Sequence, residues 1–156
     1  MDSTALIRDL PDLAATHELG AAIGAHLRPG DVVTLSGPLG AGKSALARAA
    51  IRARLHEPDL EVPSPTFTLV QTYVAPDLLE LWHVDLYRLE QESELEELGL
   101  EDAFRASAAL IEWPERLGRF LPGERLDISL FHEGSVRRVE LAFHGARWRE
   151  RIEGFR

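Results

Sequence analysis

Lys43 and Ser44 close the run Gly37-Pro38-Leu39-Gly40-Ala41-Gly42-Lys43-Ser44, which reads G-x-x-x-x-G-K-[ST]. These residue types at this spacing bind phosphate chains. Glycines let successive backbone N–H groups turn inward around an anion, and the start of the following helix adds partial positive charge. Lys43 can reach β- and γ-phosphates as a compact point charge, and the Ser44 hydroxyl is an oxygen ligand for Mg²⁺. Of the 17 basic residues, Lys43 is the only lysine. It stands where a flexible ammonium fits and a planar guanidinium does not.

Two acids extend this chemistry. Asp85 and Glu112 each end a short apolar run, at the strand ends where phosphate-binding α/β folds carry carboxylates. They compete for the roles of Mg²⁺ ligand and water-orienting group, and pattern alone does not divide the two. Ser64, Thr66 and Thr68 follow the loop's helix. One of them senses a γ-phosphate or metal, as switch hydroxyls do, or the segment is a proline-braced edge strand. His83 stands two residues before Asp85, and a structural histidine bonded to a neighbour is the expectation over a metal pair. Trp113 either stacks at the site or caps the core, and the residue pattern favours the core.

The elements that must position these groups are legible. Asp31–Leu35 is a β-branched apolar strand after a Pro29-Gly30 turn, and the segment from Ser44 to about Leu55 is a helix. Strand, glycine loop and helix follow in the required order. Ahead of them Asp12 caps a helix with Leu19, Ile23 and Leu27 on its core face. Gly20 and Gly24 thin another face, for tight packing or a bound base. Alternation from Thr66 to Tyr73 predicts a strand, Leu78–Asp85 a second after a tight turn, and Ala108–Glu112 a third. Glu90 to Asp102 holds seven acids and no base, a solvated helix face or a docking surface for a basic partner. Two alternating runs joined by Glu133-Gly134-Ser135 form a hairpin. In the locally basic tail, Trp148, Ile152 and Phe155 share a helical face, which favours a packed terminal element over an RNA-touching one.

Bulk properties set the frame. A chain of 156 residues, 45% hydrophobic and 28% charged, is expected to be one globular domain with a core needing no staples. Its cysteine count of zero removes disulfides and thiolate metal sites. Residues 1–8 lack the basic flank and apolar stretch of a leader, and no apolar run approaches the ~20 residues that span a bilayer. A cytoplasmic protein without membrane contact is the expectation. Net charge −9 makes the chain a poor general binder of nucleic acid, so any RNA contact would be indirect.

Five stretches then occur in one order: Leu35–Ser44, Ser64–Val70, His83–Leu89, Glu94–Gly99 and Leu110–Pro114. Together they resemble the bacterial TsaE family, the small ATPase of tRNA threonylcarbamoyladenosine biosynthesis, over roughly residues 10 to 131. The resemblance implies an α/β P-loop fold, a mostly parallel central sheet flanked by helices with a C-terminal antiparallel hairpin, and ATP with Mg²⁺ as ligands. It implies work with the TsaB and TsaD proteins on tRNAs reading ANN codons, where ATP hydrolysis resets the complex between turnovers and is weak without the partners. Carried over by position, Gly40, Ala41, Gly42, Lys43, Ser44 and Ala45 hold the phosphates, and Ser44 with Glu112 ligates Mg²⁺. Lys43, Asp85 and Glu112 form the catalytic set, with Trp113 beside them and the adenine contact at Leu13 and Thr16. The family commonly has Asp where Pro38 stands and Thr where Ser44 stands. Two rival readings are a small P-loop kinase, from Asp85-x-x-Arg88, and a non-catalytic ATP-dependent assembly module, from the acidic stretch.

Overall fold

The computed structural model describes residues 3–156. Met1 and Asp2, the first residues of the stretch read for a leader, lie outside the described residues. The chain runs β1 (Ser3–Leu10), α1 (Leu13–Ala25), β2 (Val32–Ser36), α2 (Lys43–Leu55), β3 (Val70–Val74) and β4 (Glu80–Asp85). It continues through α3 (Ser93–Leu98), α4 (Leu100–Ala106), β5 (Ala108–Glu112), a 3-10 segment (Pro114–Phe120), β6 (Arg125–Glu133) and β7 (Val136–His144). The short helix α5 (Ala146–Arg149) and a 3-10 turn (Ile152–Phe155) complete it.

All seven strands form one sheet, ordered β1-β7-β6-β2-β5-β4-β3. The four central strands β6, β2, β5 and β4 run parallel, and the antiparallel pairs lie at the two margins. Parallel strands must be covered on both faces, and this is why β5 reads as the continuous run Ala-Ala-Leu-Ile with every residue buried. On one face Val33, Leu35 and Leu110 meet α1 and α2. On the other Val32, Ala109 and Ile111 meet Leu95 and Leu100 of α3 and α4 and Leu117 of the 3-10 segment.

The two glycines of α1 serve tight packing. A Cβ on Gly20 would stand 2.6 Å from Ala49 Cβ, and one on Gly24 would run into the Ala50 carbonyl. Backbone-close contact therefore sets α1 against α2 and fixes where the first turn of α1 lies. Among the described residues no helix is long and apolar enough to cross a membrane.

Two strand boundaries need correction, and one strand is an addition. The predicted strand over Thr66–Tyr73 begins only at Val70. Residues 66–69 form a turn in which Leu69 N–H donates to Pro65 O at 2.6 Å and Leu69 has φ +70°. Phe67, one of the apolar residues in that alternation, is 80% exposed. The strand read from Leu78 likewise begins at Glu80, because Leu78 sits in the preceding turn with φ +76°. Finally, β1 was not anticipated. Its alternation is poor, with Ile7 exposed, and its order comes from an eight-residue antiparallel register with β7, more than a hundred positions away in sequence.

The basic tail is packed, as its apolar spacing predicts. Trp148 and Phe155 are buried in the larger core cluster. Arg151 donates to both carboxylate oxygens of Asp31, at 2.6 and 2.9 Å, and to His26 O at 3.0 Å.

Candidate functional site

The glycine loop sits where β2 ends and α2 begins. Gly42 at the helix start has φ +110°, and Gly37 has φ +142° with its Cα so near Leu130 O that a side chain would clash. Around the loop is a cavity of about 450 Å³. Gly40, Gly42, Lys43, Ser44 and Ala45 of the loop and α2 line it, together with Leu13 of α1 and with Asp85, Glu112 and Trp113 from the ends of β4 and β5. Two predicted residues lie outside it. Ala41 is buried beneath the loop with its N–H given to Pro38 O at 3.1 Å. Thr16 is buried in α1, and its hydroxyl has no hydrogen-bond partner among the described residues.

The two acids, unresolved by pattern, take distinct environments. Parallel pairing of β4 with β5 sets Asp85 directly beside Glu112. Ser44 Oγ donates to Glu112, 3.1 and 3.3 Å from its two oxygens. His83 Nε2 donates to Glu112 Oε2 at 2.8 Å from a fully buried position. The histidine is thus structural, as expected, but what it holds is the carboxylate at the site. Asp85 instead accepts from Thr66 Oγ1 at 3.0 Å and from Tyr87 N–H at 2.9 Å. Of the three hydroxyls considered, Thr66 alone lines the cavity. Ser64 bonds Thr66 from behind at 2.7 Å, and Thr68 accepts from Gln71.

Lys43, read as reaching the β- and γ-phosphates, lines the cavity while being only 5% exposed. Its ammonium donates to Gly37 O and, at 3.4 Å, to Pro38 O, and lies 3.8 Å from the Trp113 ring centroid. Desolvation lowers its pKa below the ordinary lysine value, while Glu112, Glu115 and Asp85 pull the other way. Both readings of Trp113 hold. It packs on the smaller core cluster and also lines the cavity, with its ring tilted against that of Tyr87 at 5.0 Å. Its backbone is left-handed, φ +60°, a strained conformation for a bulky residue. Tyr87 and Arg137 line the cavity too and were not singled out beforehand. Tyr87 lay in a quoted motif. Arg137 belongs to the hairpin, and no local signal connects it to the loop.

A protein-family model for TsaE, threonylcarbamoyl adenosine biosynthesis protein, matches residues 10–139. The chain belongs to the TsaE family. This is a family of tRNA threonylcarbamoyladenosine biosynthesis, and the family match speaks against a free-standing kinase. Similar proteins of that name include one from Rickettsia bellii, 39% identical over 115 residues covering 74% of this chain and 78% of the relative. Another from Bacillus subtilis is 37% identical over 133 residues, covering 82% and 78%. One from Mycobacterium tuberculosis is 39% identical over 131 residues, covering 78% and 76%. The crystal structure of Bacillus subtilis YdiB superposes with a TM-score of 0.82 at 26% identity, covering 99% of this chain and 96% of that one. The TsaE family thus supplies the frame for the cavity's chemistry.

Proposed function

We propose that this chain is the ATP-binding and ATP-hydrolysing member of the machinery that installs threonylcarbamoyladenosine on tRNAs reading ANN codons. It acts with TsaB and TsaD, and hydrolysis resets their complex between turnovers in the cytoplasm. The observation that carries this reading is the Ser44 hydroxyl set against the Glu112 carboxylate at the mouth of the phosphate loop, within the cavity that also holds Lys43. Contact with tRNA is left to the partners, because a chain of net charge −9 offers a poor phosphate-neutralising surface.

Hydroxyl and carboxylate oxygens are the hard donors that suit Mg²⁺, which commonly takes one or two protein oxygens beside phosphates and water. Ser44 and Glu112 would hold it. When bound, the ion neutralises charge on the β- and γ-phosphate oxygens. The protein supplies the rest. His83 fixes the orientation of the Glu112 carboxylate. Lys43 exchanges its bonds to Gly37 O and Pro38 O for phosphate oxygens, a short swing for a four-carbon stem. With Glu112 committed to Ser44, Asp85 is the carboxylate available to orient the attacking water, and Thr66 bonds it from the segment between α2 and β3. Leu13 and Trp113 add apolar walls that limit water at the site.

The test is ATP hydrolysis by the purified protein alone, then with TsaB and TsaD added. Strong stimulation by the pair, lost in Glu112→Gln, supports a partner-gated ATPase. Full tRNA modification by Glu112→Gln with hydrolysis abolished would defeat the reset role and leave the assembly module.

A further inference from the structure

Arg137 lies outside every motif that marks the phosphate loop, yet its side chain rests against that loop. Nη2 is 3.5 Å from Gly40 O, and Nη1 is 3.3 Å from the point a Cβ on Gly42 would occupy. Residue 137 is held by strand pairing on both sides, to Leu10 of β1 and His132 of β6. The neighbouring Arg138 is engaged by Asp9 and Glu133. Arg137 has no carboxylate partner among the described residues, although the chain is strongly acidic. A half-buried guanidinium on a rigid strand, without a counter-ion and facing a phosphate loop, is prepared for an anion.

Its place in the sheet says which part of the anion. Asp85 and Glu112 stand on β4 and β5, on one flank of β2, while β6 and β7 lie on the other flank. Arg137 therefore approaches from the side opposite the Ser44–Glu112 pair. There a second cavity of about 460 Å³ opens between residues 10–13 and His132 and Ser135 of the hairpin. Leu13 and Arg137 line both cavities. We propose that Arg137 binds the phosphate chain of the nucleotide where it leaves the loop, at its α- and β-phosphates, with the nucleoside end continuing into the second cavity. This rests on the ATP-binding reading above. The planar fork supplies two parallel donors, in a loop where Pro38 removes one backbone N–H.

The experiment is calorimetric titration of the full chain with ATP and with ADP, in Mg²⁺, for the unsubstituted protein, Arg137→Ala, Arg137→Gln and Arg137→Lys. Thermal melting of each is recorded first. The expected result is loss of ATP and ADP affinity by the same factor, roughly tenfold in Arg137→Ala. Arg137→Gln, which keeps part of the stem for packing, should lose as much, and Arg137→Lys less, at unchanged melting temperature. Unchanged affinity in both Arg137→Ala and Arg137→Gln overturns the proposal, and so does a loss confined to ATP, which would move the contact to the γ-phosphate. If the unsubstituted protein binds neither nucleotide, the ATP reading falls and this one with it. If it binds both and the variants do too, only this one falls.

Discussion

Glu112 carries two donors at once, Ser44 from the phosphate loop and His83 from the adjacent strand. A carboxylate meant to meet a cation benefits from such outer support, because its loss commonly costs 10–100-fold in metal affinity. His83→Phe is therefore expected to raise the Mg²⁺ concentration needed for nucleotide binding by roughly tenfold, read by titrating Mg²⁺ at fixed ATP. An unaltered requirement would reduce His83 to a core residue. Lys43 gives a second prediction. Its pKa is lowered chiefly by desolvation, so the folded protein binds this proton less tightly than the unfolded chain. The cost of holding the charge is present at neutral pH and is relieved as pH climbs from the lowered value toward the ordinary lysine range, so stability rises with pH there. Lys43→Met should match or exceed the unsubstituted protein in urea midpoint at pH 7. The difference should shift in the lysine's favour at alkaline pH. ATP affinity in Lys43→Ala should fall by roughly ten- to a hundredfold, and calorimetry on a folded sample checks it.

Among the elements, α1 and α2 are the pair on which the site's shape depends. The phosphate loop opens α2, and Leu13 at the start of α1 walls the cavity. The spacing between them is set three turns away from the chemistry, where Gly24 lies on the Ala50 backbone. Gly24→Ala gains helix propensity but forces the helices apart, and overpacking of this kind costs about 1–3 kcal/mol. Thermal melting should show that loss, and weakened ATP binding should accompany it as Leu13 moves. A melting temperature at or above that of the unsubstituted protein would mean that the contact relaxes freely. The turn at 65–69 positions Thr66 in a comparable way. Two prolines and a left-handed Leu69 bend the chain so that one hydroxyl of three meets Asp85.

At the scale of the molecule, the C-terminal tail closes the fold behind β2. Asp31 is fully buried and paired with Arg151, from the far end of the chain. Removing Arg151 leaves the buried Asp31 with the Arg28 N–H at 2.8 Å and Arg147 at 3.7 Å, and breaking a buried pair costs up to about 3–5 kcal/mol. Arg151→Met is expected to lower the urea midpoint accordingly, while Asp31→Asn with Arg151→Met recovers part of it. Nucleotide affinity, measured where the variant is still folded, should be unchanged. An intact midpoint would show the tail to be dispensable for stability.

The phosphate loop, the helices beside it and the parallel strands were legible because each is specified locally. Glycine spacing, the Asp12 cap and continuous apolar runs such as Ala108–Ile111 act within a few residues. The acids Asp85 and Glu112 were found because strand ends are visible, and the family because five such motifs stand in register. The sequence alone left open which hydroxyl meets Asp85, which acid takes Ser44, and whether Trp113 serves core or cavity. Those depend on β4 lying beside β5 and on a turn whose alternation mimics a strand. It did not reveal β1 or Arg137 at all. β1 owes its place to pairing with β7, and Arg137 reaches the loop because its hairpin partner β6 lies beside β2, neighbours made only in the folded sheet.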